Sequence, residues 1–271
     1  MNILLRYITR VYNSPRLLVV HVLFIGCILF LQLESDHESA LFRNIVRTVR
    51  NQTQGQHDTV CLRQLMAAIN TMMQDRNRIF KGSEQLSYKA RLFKSVDADL
   101  MYGAGACGGF SKVLSRAIKT AGFTTRIGQM KVNGNYGGHI LLETYLPSLG
   151  KWVVMDPLYQ LTFTNPGGHW ASFSEVSADF ARYRAQIPAT LGYNFSYDYA
   201  GIRYTNWSKV PLLGALAYQG LQLLKGKDYA EQFSARPYLL DHYRLYKWVL
   251  ILLYGLNMSI GMVLLYKKSN A

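Results

Sequence analysis

Apolar residues dominate two stretches near the ends of the chain and fall into periodic or alternating patterns between them. The stretch 17–33 is apolar except for His21, Gly26, Cys27 and Gln32. The stretch 248–266 has no charge and Asn257 as its main polar interruption, with Lys267 and Lys268 just beyond. A bilayer span takes about 17–25 such residues, so each predicts a transmembrane helix. No small-x-small cleavage site follows Phe30, and Glu34, Asp36 and Glu38 come next, so the first is expected to be retained rather than removed as a signal peptide. Between the two, residues 38–50 and 59–73 read as helices. Residues 210–224 are apolar but short for a span and read as a core or interfacial helix.

The middle of the chain is the most legible. From Phe110 the apolar residues recur at Val113, Leu114, Ala117, Ile118 and Ala121, which is helical spacing, and Gly122 is a C-terminal stop. Residues 139–146 and 151–156 alternate as strands, and Pro147-Ser148-Leu149-Gly150 forms the turn between them. If Leu146 pairs with Lys151, Asp156 falls opposite Leu141 and His139 lies two residues along on the same face. Such diagonal neighbours are about 7–8 Å apart at the backbone, within reach of an aspartate and an imidazole. Ile140, Leu142, Leu146, Val153 and Met155 then form an apolar opposite face. A one-residue slip would send Asp156 to the wrong side, so the reading requires a two- or four-residue turn.

Cys107 precedes this helix in Ala104-Gly105-Ala106-Cys107-Gly108-Gly109-Phe110-Ser111. It continues the apolar stripe onto the first turn and is expected to face the core. There, unpaired backbone N–H groups and the positive end of the helix dipole favour a thiolate. Gly108 and Gly109 are expected to let a substrate backbone come close. Cysteine, histidine and aspartate in this order supply a nucleophile, a base and an acid that orients the base.

The run from Gly105 to Pro157 resembles the core of the transglutaminase-like superfamily, in the papain-like cysteine-protease fold group. Cys107 at a helix start, His139 on a strand and Asp156 before Pro157 at the end of another match that pattern. Ala121-Gly122-Phe123-Thr124-Thr125-Arg126 resembles the segment after the helix, and Trp152 the tryptophan ahead of the acid. Leu141 departs from the pattern, where an aromatic is usual. The resemblance implies an α+β fold with a nucleophile helix packed on an antiparallel sheet. It also implies a cysteine-dependent amide hydrolase or acyltransferase with Cys107, His139 and Asp156 as its triad. The Cys107 N–H would be one oxyanion donor and Tyr102, five residues upstream, a second. Hydrolysis and transfer stay open, as does the alternative of a non-catalytic scaffold in a membrane or envelope assembly.

Charge places the chain further. The net charge is +14, but all sixteen acids lie between Glu34 and Asp241, where 23 lysines and arginines leave a balance of +7. These cations are scattered, and no nucleic-acid-reading motif accompanies them, so no nucleic acid is expected. Anionic lipid, a membrane protein or an envelope polymer is the expected partner. The organisation reads as a basic segment 1–16, a span 17–33, a domain 34–243 with its core at about 84–160, a span 248–266 and a basic tail 267–271. Arg6, Arg10 and Arg16 before the first span and Lys267 and Lys268 after the second favour cytoplasmic termini. The domain is therefore expected on the extracytoplasmic side, the periplasm in a bacterium. Cys27, Cys61 and Cys107 have no zinc-ribbon or disulfide-framework spacing and are expected to be thiols. His57, His169 and His242 have no partner at ligand spacing, so neither metal nor cofactor is expected.

Overall fold

A computed structural model of the chain describes residues 15–81, 86–209 and 213–269. The basic segment up to Ser14, Glu84 at the start of the expected core and the last two residues lie outside them. The helices are α1 (Pro15–Gln52), α2 (Asp58–Phe80), α3 (Tyr88–Phe93), α4 (Val96–Tyr102), α5 (Cys107–Thr120), α6 (Phe173–Ala178), α7 (Phe180–Arg184), α8 (Gly214–Lys225), α9 (Lys227–Gln232) and α10 (His242–Ser269). The strands are β1 (Thr124–Val132), β2 (Asn135–Leu146), β3 (Lys151–Met155) and β4 (Ile202–Arg203), so the protein is α+β. The chain divides into two compact units, residues 1–39 with 241–271 and residues 40–240.

In the first unit, α10 runs antiparallel to the N-terminal part of α1. Tyr254 packs on His21 and Phe24 at ring-centroid distances of 5.5 and 5.6 Å, and Lys247 Nζ donates to Gln32 Oε1 at 2.5 Å. Leu31 and Tyr243 are buried, while most of the other apolar side chains point outward, among them Leu23, Leu33, Leu252 and Leu256. Both helices are long and apolar enough to cross a membrane. The expected helix 38–50 is continuous with the first apolar segment, because Glu34-Ser35-Asp36-His37 contains no helix breaker.

In the second unit the sheet order is β3-β2-β1-β4, with every pairing antiparallel. Asn133 and Gly134, at φ of 49° and 81°, close the β1–β2 hairpin in a two-residue loop that needs positive φ at both positions. Leu146 pairs with Lys151 across the four-residue turn, so the register follows the expectation. One face of the sheet carries Ile127, Leu142, Leu146, Val153 and Met155 into a core shared with α2, α5 and the C-terminal part of α1. The other face carries Met130, Leu141 and Val154 into a second core with Leu161, Phe163, Phe173, Tyr193 and Tyr199. The sheet is thus the middle of three layers. α5 buries Phe110, Val113, Leu114, Ala117 and Ile118, and ends in Gly122 at φ 90°. Phe123 N–H bonds Ile118 O and Gly122 N–H bonds Lys119 O, the paired bonds of a Schellman stop.

The stretch 210–224 departs from a core helix. Its residues 210–212 lie outside the described part, and within α8 only Gly214 is buried while Leu223 and Leu224 are 88% and 80% exposed. Its leucines fall on more than one side of the helix, and α9 covers little of it.

Candidate functional site

α5 starts at Cys107, and no side chain caps its N-terminus. The loop before it is set by close packing. A Cβ on Gly109 would collide with the Ala104 carbonyl oxygen, and one on Gly103 with the backbone of Met73 and Asn77. Gly109 is therefore required by the chain's own packing. At Gly108 an added Cβ would meet only Ile140 Cδ1, at 3.3 Å.

Cys107 does not face the core as the stripe suggested; it is half-buried at the edge of the sheet. The reason lies in unequal strand lengths. β3 ends at Met155, opposite Leu142, so Ile140 on β2 lies past the last β3 partner. The first turn of α5 takes its place. Ser111 Oγ donates to Ile140 O at 3.0 Å, and the Ile140 N–H favours the thiolate form of Cys107. β2 is also irregular here: the register with β1 shifts between Met130 and Lys131, leaving Gly137 and Gly138 outside the pairing. His139 therefore projects from a distorted strand end beside the helix start.

His139 and Asp156 are both buried, and His139 Nε2 lies 2.6 Å from Asp156 Oδ2. Asp156 is fixed in turn. Its backbone exchanges two 2.9 Å bonds with Leu161, and its Oδ1 accepts the Leu158 N–H at 3.2 Å. Buried Asn70 of α2 holds the same turn by donating to Pro157 O at 2.8 Å and Leu158 O at 3.0 Å, while its Oδ1 accepts from Gln160 at 2.7 Å. With Nε2 committed to Asp156, the ring nitrogen left for Cys107 is Nδ1, which has no conventional hydrogen-bond partner. Tyr197 stacks on the imidazole at 4.4 Å and 10°, and Tyr159 lies at 5.9 Å.

The electrostatics follow from this arrangement. Burial alone would raise the Cys107 thiol, but the neighbouring His139 imidazole, its charge and the Ile140 N–H outweigh it and lower the pKa. Burial would also discharge His139. Its bond to Asp156 and the neighbouring Cys107 prevail and raise it to about 9. At neutral pH the ring is an imidazolium that donates to Asp156, and the Cys107 thiol beside it is more acidic than an ordinary thiol.

Tyr102, the second expected oxyanion donor, ends α4 with its ring edge-on to Phe80 at 5.2 Å, and its hydroxyl makes no hydrogen bond among the described residues. A cavity of about 420 Å³ adjoins the loop leading into Cys107, lined by Gln74, Asn77, Arg78, Gly105, Ala106, Phe110 and Leu158. Asn70, Tyr159 and Tyr197 belong to the site although sequence reasoning did not single them out. Asn70 had a signal, a polar residue within the apolar stripe Leu62, Leu65, Met66, Ile69 and Met73. Tyr197 lies in residues 193–207, a run rich in tyrosine and asparagine.

Comparison with protein-family models, with curated proteins and with solved structures finds no match to this chain. Its class rests on its own geometry: an α+β protein with a half-buried thiol at a helix start beside a buried imidazole–carboxylate pair.

Proposed function

We propose that the protein is a membrane-anchored, cysteine-dependent amide hydrolase or acyltransferase of the transglutaminase-like, papain-related type. The observation that carries this is a cysteine of lowered pKa next to a buried histidine held by an aspartate at 2.6 Å. A thiol that merely fills space needs neither neighbour. The Cys107 thiolate attacks an amide carbonyl carbon, and the carbonyl π pair moves to oxygen, where the Cys107 N–H at the positive end of α5 is one donor. Collapse breaks the C–N bond, and His139 gives its proton to the departing amine. His139, now neutral, takes a proton from water or from a second amine as that nucleophile attacks the thioester. The S–C bond breaks, the thiolate returns, and the product is an acid or a new amide. Asp156 holds the ring orientation and stabilises its charged form.

The two apolar helices anchor the chain, and the basic residues flanking them favour the second unit on the extracytoplasmic side, acting on an envelope substrate. An irreversible thiol-directed vinyl sulfone applied to the full-length protein in detergent tests the chemistry. It labels the wild type at Cys107, labels His139→Ala at least tenfold more slowly, and leaves Cys107→Ala unlabelled. Equal labelling of wild type and His139→Ala would remove the imidazole from the reaction.

A further inference from the structure

The block between the two apolar helices carries more cations than acids, and two of the surplus converge near the nucleophile. β4 places Arg203 directly opposite Gln129, and Gln129 is opposite Ile140, whose carbonyl accepts from Ser111 on the first turns of the helix that Cys107 begins. Ile140, Gln129 and Arg203 thus form one row across three adjacent strands on one face of the sheet, at about 4.8 Å per strand. The Arg203 guanidinium lies over the Tyr136 ring at 4.7 Å and reaches Gln129 Oε1 at 3.4 Å, while its Nε is buried without a partner. Arg236 begins the 3-10 turn Arg236–Tyr238, which packs against β1 and α5. This turn is tied down by Lys119 Nζ donating to Pro237 O at 2.6 Å and, just before it, by the Ser234 hydroxyl on both backbone groups of Ile127.

No carboxylate pairs with either arginine among the described residues. Arg236 is half-buried, and burial, then the like charge of Arg203, hold it below the usual guanidinium range, while the Cys107 thiolate acts in the opposite sense. Any charge on the Cys107 sulfur is itself balanced by the His139 imidazolium. Thr205, two residues past Arg203, donates to Phe233 O at 2.6 Å and accepts the Ala235 N–H at 3.0 Å, so the two arginines sit on adjoining segments. Two partly desolvated guanidinium groups on adjoining segments are unfavourable unless an anion joins them, and the fork of an arginine matches an oxyanion.

We propose that Arg203 and Arg236 form an anion-holding subsite beside Cys107, so that the substrate carries a carboxylate or phosphate group near the bond that Cys107 attacks. This rests on Cys107 being the nucleophile. It restricts the substrate to an anionic amide, and it makes Arg203 and Arg236 specificity residues.

The test compares two alkylating agents of nearly equal size on the full-length protein in detergent: neutral iodoacetamide and anionic iodoacetate, with Cys107 followed by peptide mapping. The iodoacetate-to-iodoacetamide rate ratio at Cys107 is expected to fall about tenfold in the Arg203→Gln/Arg236→Gln double variant. An exposed cation elsewhere, Lys209→Gln, should leave the ratio unchanged. An unchanged ratio in the double variant, with its iodoacetamide rate intact, overturns the proposal. A Cys107 that does not react with iodoacetamide in the wild type overturns instead the nucleophile reading beneath it. A second measurement needs no variant. Millimolar inorganic phosphate or acetate should protect wild-type Cys107 from iodoacetate, phosphate alone pointing to a phosphate group and acetate alone to a carboxylate. Protection by neither overturns the subsite.

Discussion

Replacing Asp156 by asparagine removes one charge from the site and almost no volume. In the folded protein His139 stands at about 9 against an ordinary 6.5, with the Asp156 bond the largest raising influence. That interval corresponds to about 3 kcal/mol of preference for the charged ring. Without the carboxylate the preference collapses, and the imidazolium that lowers the Cys107 thiol is lost with it. An ordinary thiol at 9.0 is about 1% ionised at pH 7, so the thiolate population has up to about a hundredfold to lose. The assay is the rate of Cys107 alkylation by iodoacetamide from pH 5 to 10. The wild type should react rapidly well below pH 9, whereas Asp156→Asn should react between about ten- and a hundredfold more slowly at pH 7 and recover above pH 9. Stability should follow the same group. A histidine raised on folding stabilises fully below its unfolded value of 6.5, and the contribution is lost as pH rises through about 9. The wild type should therefore exceed Asp156→Asn in thermal stability at pH 6, with the gap closing by pH 10. An asparagine variant that keeps wild-type alkylation at pH 7 would show that the aspartate does not charge the imidazole, and the electrostatic account would fail.

Other outcomes follow from the same geometry. Cys107→Ala should abolish amide-bond activity while costing about 1 kcal/mol in urea unfolding, since a half-buried sulfur leaves little void; a variant that fulfils the native role as well as wild type would replace the enzyme with a scaffold. Cys61→Ala, in the core away from the site, should stay active and lose only about 1 kcal/mol of stability. Glu143→Gln should destabilise by about 3 kcal/mol in thermal unfolding. Buried Glu143 accepts from Arg126 Nε at 2.7 Å, from the Tyr204 hydroxyl and from Phe173 N–H at 3.2 Å. A reporter fused at Gly134 should respond on the extracytoplasmic side and one at Ser269 in the cytoplasm; a cytoplasmic signal at Gly134 in intact cells would reverse the orientation.

The hairpin was legible because each of its constraints is local. Pro147 and Gly150 bound a four-residue turn, and a period of two then placed His139 and Asp156 on one face and Leu142, Val153 and Met155 on the other. The stripe from Phe110 to Ala121 with Gly122 behind it was readable for the same reason. What failed was the extrapolation of the stripe to Cys107, because helical periodicity does not report that β3 stops short and leaves Ile140 for the helix end to meet. The packing role of Gly109 was missed because the Ala104 carbonyl against it is a contact that no spacing encodes. Asn70 holds a turn 87 residues away, and Tyr197 crosses from a loop to stack on His139; both are tertiary facts. β4 has two residues, too few for any period, so the row that carries Arg203 was invisible. The stretch 210–224 reads as either a core or an interfacial helix because composition alone does not show which elements cover a helix, and the exposed leucines of α8 remove the core alternative.

The central claim is that Cys107 is an acyl-accepting nucleophile driven by His139. The most direct measurement is to react full-length protein with p-nitrophenyl acetate near neutral pH, quench with acid and locate the acetyl group by mass spectrometry. The account predicts one acetyl thioester per chain on Cys107, formed with a burst of nitrophenolate. It should be absent in Cys107→Ala and slowed at least tenfold in His139→Ala. An acetyl group spread evenly over Cys27, Cys61 and Cys107, or formed on Cys107 at the same rate without His139, would contradict it.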